Sequence, residues 1–366
     1  MVSKELRDQY DTVVIGGGQT GLIVGHALQE QGTDYVILDA GARVGDAWRS
    51  RWDSLRLFTQ AFMNGLPGMD FPANRNSFVT KDQVADFLEQ YATAMNLQLR
   101  SGARVERLHH DGTRFVVDVD SQEVKARNVI VAMADYQKPN IPEFAPELDP
   151  GTVQLHTTQY KSPSQLQDGP VLIVGLGNSG ADIALDVSPT HPTIVSGTES
   201  GSVPFPLESW FGRHIGTRLV RFATVRVINT STPIGRRARP KMITKSSPLV
   251  RVRPKELEKA GVSRVERISG IQDGRPLTQD GQVLDVANVI WCTGYRPGFE
   301  WIDLPVFDDG GRPIHERGVV PDMPGLYFVG LFFLHALWSE TITGVQPDVK
   351  HIIKHLNNRQ PTATST

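Results

Sequence analysis

The chain has 366 residues, 39% hydrophobic and 21% charged, with a formal net charge of −2 at pH 7. That balance describes a soluble globular chain of two or three domains and offers no global attraction to nucleic acid or anionic lipid. A single cysteine, Cys292, excludes an intrachain disulfide and any Cys-x-x-Cys redox or zinc site, and no metal centre is expected.

The opening MVSKELRDQYD carries no apolar leader, so a cytoplasmic location is expected. From Tyr10 the text reads as strand, glycine turn, helix and second strand, ending at Asp39. Gly16, Gly18 and Gly21 have the Gly-x-Gly-x-x-Gly spacing. The first glycine permits the tight turn, the second lets backbone approach a pyrophosphate, and the third lets helix and strand pack closely. Amides at the helix start, aided by the macrodipole, then hold the diphosphate. Asp39 stands 18 residues past Gly21 (39 − 21), where a carboxylate can accept from a ribose hydroxyl.

After Asp39 comes a long stretch of weak pattern with Trp48, Trp52, Phe58 and Phe62, read either as a wall for a flat ring system or as a loop packed on its own aromatics. Thr80 and Gln83 form a capping box for a helix that buries Val84, Phe87, Leu88, Tyr91 and Met95. A β-meander follows, turning at Asp111-Gly112, and the strand NVIVA closes the unit.

The segment from Val171 repeats the device, with Gly175, Gly177 and Gly180 on the turn and Asn178 and Ser179 able to offer side-chain hydrogen bonds to phosphate. Later text repeats the meander, with Asp273-Gly274 and Asp280-Gly281 as turns. The letters RVER occur at Arg104–Arg107 and again at Arg264–Arg267, 160 positions on (264 − 104), and Asn128 and Asn288 share that offset. Such a long period implies duplication of a domain-sized unit rather than a solenoid. Thr198 and Glu199 stand where a nicotinamide site reads its ribose; Glu199 is either a ribose partner or a solvated loop acid. A carboxylate there opposes a 2′-phosphate unless a distant arginine compensates, so NADH should be tolerated. Residues 202–254, rich in proline and carrying GRRARPK, read as an irregular insertion that shapes access to a pocket. The apolar run GLYFVGLFFLHALW is too short to span a bilayer and reads as a buried strand and a buried segment. Residues 359–366 read as a frayed tail.

With two glycine turns, CTGYRP and the linker PGTVQLHTTQYKSP in hand, the chain resembles the flavin-containing monooxygenases, particularly their short bacterial members, from about Tyr10 to Leu356. In the family fingerprint F-x-G-x-x-x-H-x-x-x-[YF], His156 and Tyr160 match, while Pro150 and Thr152 replace Phe and Gly. The family's first Ala-Thr-Gly is Ala132-Met133-Ala134 here, and the second survives as Cys292-Thr293-Gly294. The lost glycine removes backbone freedom and suggests an altered domain geometry.

The resemblance implies an α/β, glutathione-reductase-like fold of two Rossmann-like dinucleotide-binding domains. A discontinuous FAD domain (8–160 and 295–358) would receive a nicotinamide domain (161–294). FAD would meet Gly16, Gly18, Gln19, Thr20, Gly21, Asp39, Ala40, Trp48, Thr59, Val105, Ala132 and Gly330. NADPH or NADH would meet Gly175, Gly177, Asn178, Ser179, Gly180, Thr198 and Glu199. Asn64 is matched to a catalytic asparagine near the flavin ring, although Asn64-Gly65 reads equally as a turn. The implied activity passes hydride from nicotinamide to FAD, activates O2 at the flavin C4a carbon, and transfers one oxygen to a small soft nucleophile containing S or N. Partners are then a small-molecule substrate and O2, with no nucleic acid and no membrane, and a homodimer is compatible with the sequence. The rival readings are a reductase that serves ferredoxin or a quinone, and a dinucleotide sensor without turnover.

Overall fold

The computed structural model describes residues 6–198, 201–243 and 248–359. The first sheet runs Leu99–Ser101, Tyr35–Asp39, Gln9–Ile15 and Gln122–Val131, continuing into the antiparallel strands Phe115–Val119 and Val105–His110. Leu326–Phe328 lies parallel to the C-terminal end of Gln122–Val131, so the chain returns to this sheet near its end. Val13, Val14 and Ile15 are all buried because helices cover one face and the meander the other, which removes the usual alternation.

On one face the helix Gln19–Glu30 buries Leu22, Ile23 and Leu28. Beside it the helix Lys81–Ala94 buries Val84, Phe87, Leu88 and Tyr91, and starts on the expected capping box. Gln83 N donates to Thr80 Oγ1 at 3.2 Å, and Thr80 N donates to Gln83 Oε1 at 2.9 Å. The helix Ile342–Arg359 completes this layer, and each fully buried leucine contributes about 1.5–3 kcal/mol.

The second sheet is wholly parallel, ordered Val153–His156, Asn288–Trp291, Val171–Val174, Thr193–Ser196 and Ser263–Val265. Its duplication of the first is visible in register: Thr12 pairs with Asn128, and Val171 pairs with Asn288. The RVER echo is different. Leu38 pairs with Arg100, whereas Ser196, its counterpart beside the second turn, pairs with Val265, so the two RVER runs occupy different places. The duplication is real, but those four letters are not its register.

The strand Val153–His156 belongs to the second sheet, so the expected limit at Tyr160 falls inside the second unit. Passage between the sheets runs through the antiparallel pair Lys138–Pro139 and Tyr295–Arg296. Gly294 adopts a left-handed φ of +83° there, while Ala134 needs no positive φ. The missing glycine of the first Ala-Thr-Gly therefore brings no strain.

The described residues of the 202–254 insertion are mostly helical, not irregular, with wide helical turns at Gly212–Gly216 and Ala223–Val227 around the helix Thr217–Phe222. Pro233 opens the helix Pro233–Met242, whose Thr232 cap accepts from Gly235 N at 3.0 Å, while Pro240 lies inside that helix. No helix among the described residues is long and apolar enough to cross a membrane.

Candidate active site

Both glycine turns open on one cavity of about 1660 Å³ that lies between the two sheets. A ligand pocket of ordinary size is about 300–1,000 Å³, so this volume suits two dinucleotides better than one. The turns are built alike. Gly16 and Gly175 have φ of +108° and +111°, conformations that favour glycine. A Cβ at Gly21 or Gly180 would overlap the carbonyl oxygen of Gly16 or Gly175, so the third glycine sets how closely the helix approaches. A Cβ at Gly18 or Gly177 would meet nothing within 4 Å. That open space, with no side-chain cap on either helix start, is what a diphosphate needs to reach the first amides.

Gly16, Gly18, Gln19, Thr20, Asp39, Ala40, Trp48, Thr59, Val105, Ala132 and Gly330 all line the cavity, as do Asn178, Ser179 and Thr198. Gly21, Gly175, Gly177 and Gly180 are not among the lining residues; Gly21 and Gly180 pack against the carbonyls of Gly16 and Gly175, while Gly177 opens the second helix. Glu199 lies outside the described residues. Asp39 braces its own turn, accepting from Gly17 N at 2.5 Å and Gly41 N at 2.8 Å, with lone pairs left for a ribose. Trp48 Nε1 donates to Gln19 Oε1 at 3.3 Å, which ties the aromatic loop to the first turn.

Asn178 lines the cavity with its amide partly engaged by backbone: Nδ2 donates to the Pro248 carbonyl at 3.1 Å, and Oδ1 accepts from Val250 N at 2.8 Å. Asn64 is not among the cavity-lining residues. It is 1% exposed, with Oδ1 accepting from Thr59 Oγ1 at 2.7 Å and Nδ2 donating to the Thr59 carbonyl at 3.3 Å. Asn64 thus stands behind Thr59, because its short loop folds back into a 3₁₀ turn over Ala61–Met63.

The cavity also holds residues that the sequence reading missed. Arg267 lines it and donates from Nη2 to Thr198 Oγ1 at 3.1 Å, which puts a guanidinium at the end of the second nucleotide strand. On the inner wall the Tyr136 hydroxyl donates to Glu340 Oε2. Tyr136 is 42% exposed, and it lines the cavity together with Glu340. Burial pushes the Glu340 carboxyl up to about 7, opposed by the Tyr136 bond and reinforced by Asp135. Burial also raises Asp135, while a bond from Phe332 N at 3.2 Å opposes the shift. Arg51 donates to the Tyr295 hydroxyl at 2.5 Å, and the Tyr136 and Tyr295 rings meet edge-on at 5.7 Å. Phe332 and Trp338 add apolar surface. Glu340 had one sequence signal: it is an acid within the otherwise uncharged LFFLHALWSETITG.

The fingerprint residues are ties rather than walls. His156 Nε2 lies 3.0 Å from the Gly294 carbonyl, and burial lowers its pKa. The Tyr160 hydroxyl donates to Asp186 Oδ2 at 2.7 Å. Both hold the linker against the second unit. Burial pushes the Cys292 thiol up, away from thiolate chemistry.

A family model described as pyridine nucleotide-disulphide oxidoreductase matches residues 13–198. An oxidoreductase of Geobacillus kaustophilus, named uncharacterized and CzcO-like, is 36% identical over 362 residues, covering 95% of this chain and 98% of its own. The probable indole-3-pyruvate monooxygenase YUCCA9 of Arabidopsis thaliana is 27% identical over 335 residues, covering 82% of this chain and 79% of its own. The solved flavin-containing monooxygenase from Stenotrophomonas maltophilia superposes with a TM-score of 0.77 at 27% identity, covering 96% of this chain and 99% of that one. The chain belongs to the pyridine nucleotide-disulphide oxidoreductase family, and it is a flavin-dependent oxidoreductase of the monooxygenase type.

Proposed function

We propose that this chain is a monooxygenase that holds FAD on its first glycine turn and NADPH on its second, and inserts one atom of O2 into a small organic substrate with a soft S or N centre. The carrying observation is that two uncapped helix starts open onto a single cavity of about 1660 Å³. Substrate, O2, NADPH and one proton give oxygenated substrate, NADP⁺ and water. The two cofactors, when bound, supply hydride transfer and oxygen activation.

The protein's own contribution is placement and proton control. The Gly16–Gly21 and Gly175–Gly180 turns fix the two diphosphates, and the Asp39 carboxylate takes the ribose of the first. Arg267 presents a cation beside Thr198, and this favours a 2′-phosphate, hence NADPH over NADH. Thr59, held by Asn64, sets a hydroxyl on the wall. Phe332, Leu337 and Trp338 keep the inner end apolar and exclude water. Glu340 Oε2, bonded to the Tyr136 hydroxyl, can hold or yield the proton that ends on water. The nicotinamide unit is best taken as about 140–294, because Val153–His156 pairs within the second sheet.

Oxygen-18 labelling tests this reading. FAD-loaded protein supplied with NADPH, labelled O2 and an aryl methyl thioether should give a sulfoxide carrying one labelled oxygen. NADPH consumption that yields only peroxide or reduced quinone would instead make the chain an oxidase or a reductase.

A further inference from the structure

Separate from the redox cavity, the described residues line a second, open cavity of about 1000 Å³. Arg75, Arg218, Arg221, Arg226, Arg317 and Lys350 line it, and no aspartate or glutamate does. The chain as a whole is slightly acidic, and some of its cations elsewhere are paired, as in Arg43–Glu89, Arg107–Asp303 and Arg251–Asp182. Here one carboxylate serves the group: Arg317 Nε lies 3.5 Å from Asp348 Oδ1. Among the described residues the other five have no ion pair. Arg221 Nε donates to Thr343 Oγ1 at 3.0 Å, and Arg218 lies 5.1 Å from the centre of the Phe62 ring. His335 joins this wall uncharged, since burial, with Arg317 and His351 beside it, pushes it down to about 4. Crowding like charges around one cavity is unfavourable until an anion arrives, and arginine forks suit phosphate oxygens.

The two cavities share walls. On the insertion helix, Val220 and Thr224 face the redox cavity while Arg221 and Val225 face the cationic one. At the start of the helix Ile342–Arg359, Thr341 and Ile342 face the first cavity, and Thr343 and Gly344 the second. Between them, Leu337 and Trp338 line the first and His335 and Ala336 the second, stitched to the insertion by Leu337 N donating to the Ile228 carbonyl at 3.0 Å. An anion that drew Arg221 and Arg226 together would therefore move the partition that carries Trp338.

We propose that the cationic cavity binds a phosphorylated anion of two or more negative charges, as in a diphosphate or a nucleoside polyphosphate, and that its occupancy alters the rate of chemistry in the redox cavity. The test uses FAD-loaded protein saturated with NADP⁺, so that neither glycine turn can take the probe. Isothermal titration with pyrophosphate at constant ionic strength should show one saturable site per chain. The double variant Arg226→Gln/Lys350→Gln, both at exposed positions, should weaken it tenfold or more while FAD content and unstimulated NADPH oxidation stay unchanged. A parallel arm measures sedimentation with vesicles containing phosphatidic acid, a phosphomonoester lipid; binding there alone, lost in the double variant, would assign the same phosphate chemistry to a lipid headgroup. No binding in either arm, or equal binding by wild type and variant, overturns the site. Pyrophosphate should also change wild-type NADPH oxidation at least twofold and leave the variant unaffected; binding without any rate change overturns the coupling.

Discussion

The Tyr136 hydroxyl donates to the Glu340 carboxylate across the inner wall of the redox cavity, joining the chain just after the first sheet's central strand to the segment that precedes the last helix. Burial raises Glu340 from an ordinary 4.5 to about 7. Between those values the folded protein binds the proton more tightly than the unfolded chain, so stability falls as pH rises through this window and levels off above it. Glu340→Gln should remove that share of the decline, and the difference in Tm between variant and wild type should grow in the variant's favour from pH 4.5 to 7. Because the Tyr136 bond lowers the carboxyl, Tyr136→Phe should shift any limb of the kcat profile near neutrality to higher pH. Scanning fluorimetry and pH–rate profiles check both.

Arg267→Gln should raise KM for NADPH about 10- to 100-fold, the worth of a charge-assisted bond of about 1.5–3 kcal/mol, and leave KM for NADH within about twofold. Steady-state kinetics with both nucleotides decide it. Equal losses for the two would remove Arg267 from 2′-phosphate recognition.

Gly21→Ala and Gly180→Ala should separate the two cradles. Each added methyl overlaps a backbone carbonyl within its own turn, where nothing flexible can give way. Overpacking of this kind costs about 1–3 kcal/mol or more. Gly21→Ala should lose FAD, whereas Gly180→Ala should keep FAD and lose NADPH reduction, as absorbance of the purified protein and anaerobic titration would show.

Asn64→Ala leaves the Thr59 hydroxyl without its acceptor and should lower stability by about 1–3 kcal/mol. If Asn64 acts only through Thr59, Thr59→Val/Asn64→Ala should lower kcat no more than the worse single variant does. A direct contact between Asn64 and substrate would make the two losses add.

What the sequence made legible was local. The glycine turns, the Thr80–Gln83 box and the Asp-Gly hairpins each follow from one residue type in one backbone conformation, and each is where its spacing put it. The paired positions Asn128 and Asn288 reflect real register, while RVER, made of surface-tolerant letters, did not. The inner wall was hidden because Tyr136 and Glu340 stand 204 residues apart and meet only when the last strand returns to the first sheet. Asn64 stands behind the wall because its side chain is engaged by the neighbouring Thr59, and the sequence alone does not show that. The insertion's helices were masked by its prolines, two of which, Pro233 and Pro254, begin helices while Pro240 sits inside one.

The central claim is that two uncapped helix starts hold a flavin and its hydride donor within one cavity. Anaerobic mixing of FAD-loaded protein with NADPH, followed by flavin absorbance, tests it most directly. The account predicts one FAD per chain and bleaching of that flavin by one equivalent of NADPH. Protein that takes up no FAD, or a bound flavin that NADPH leaves oxidised, would contradict it.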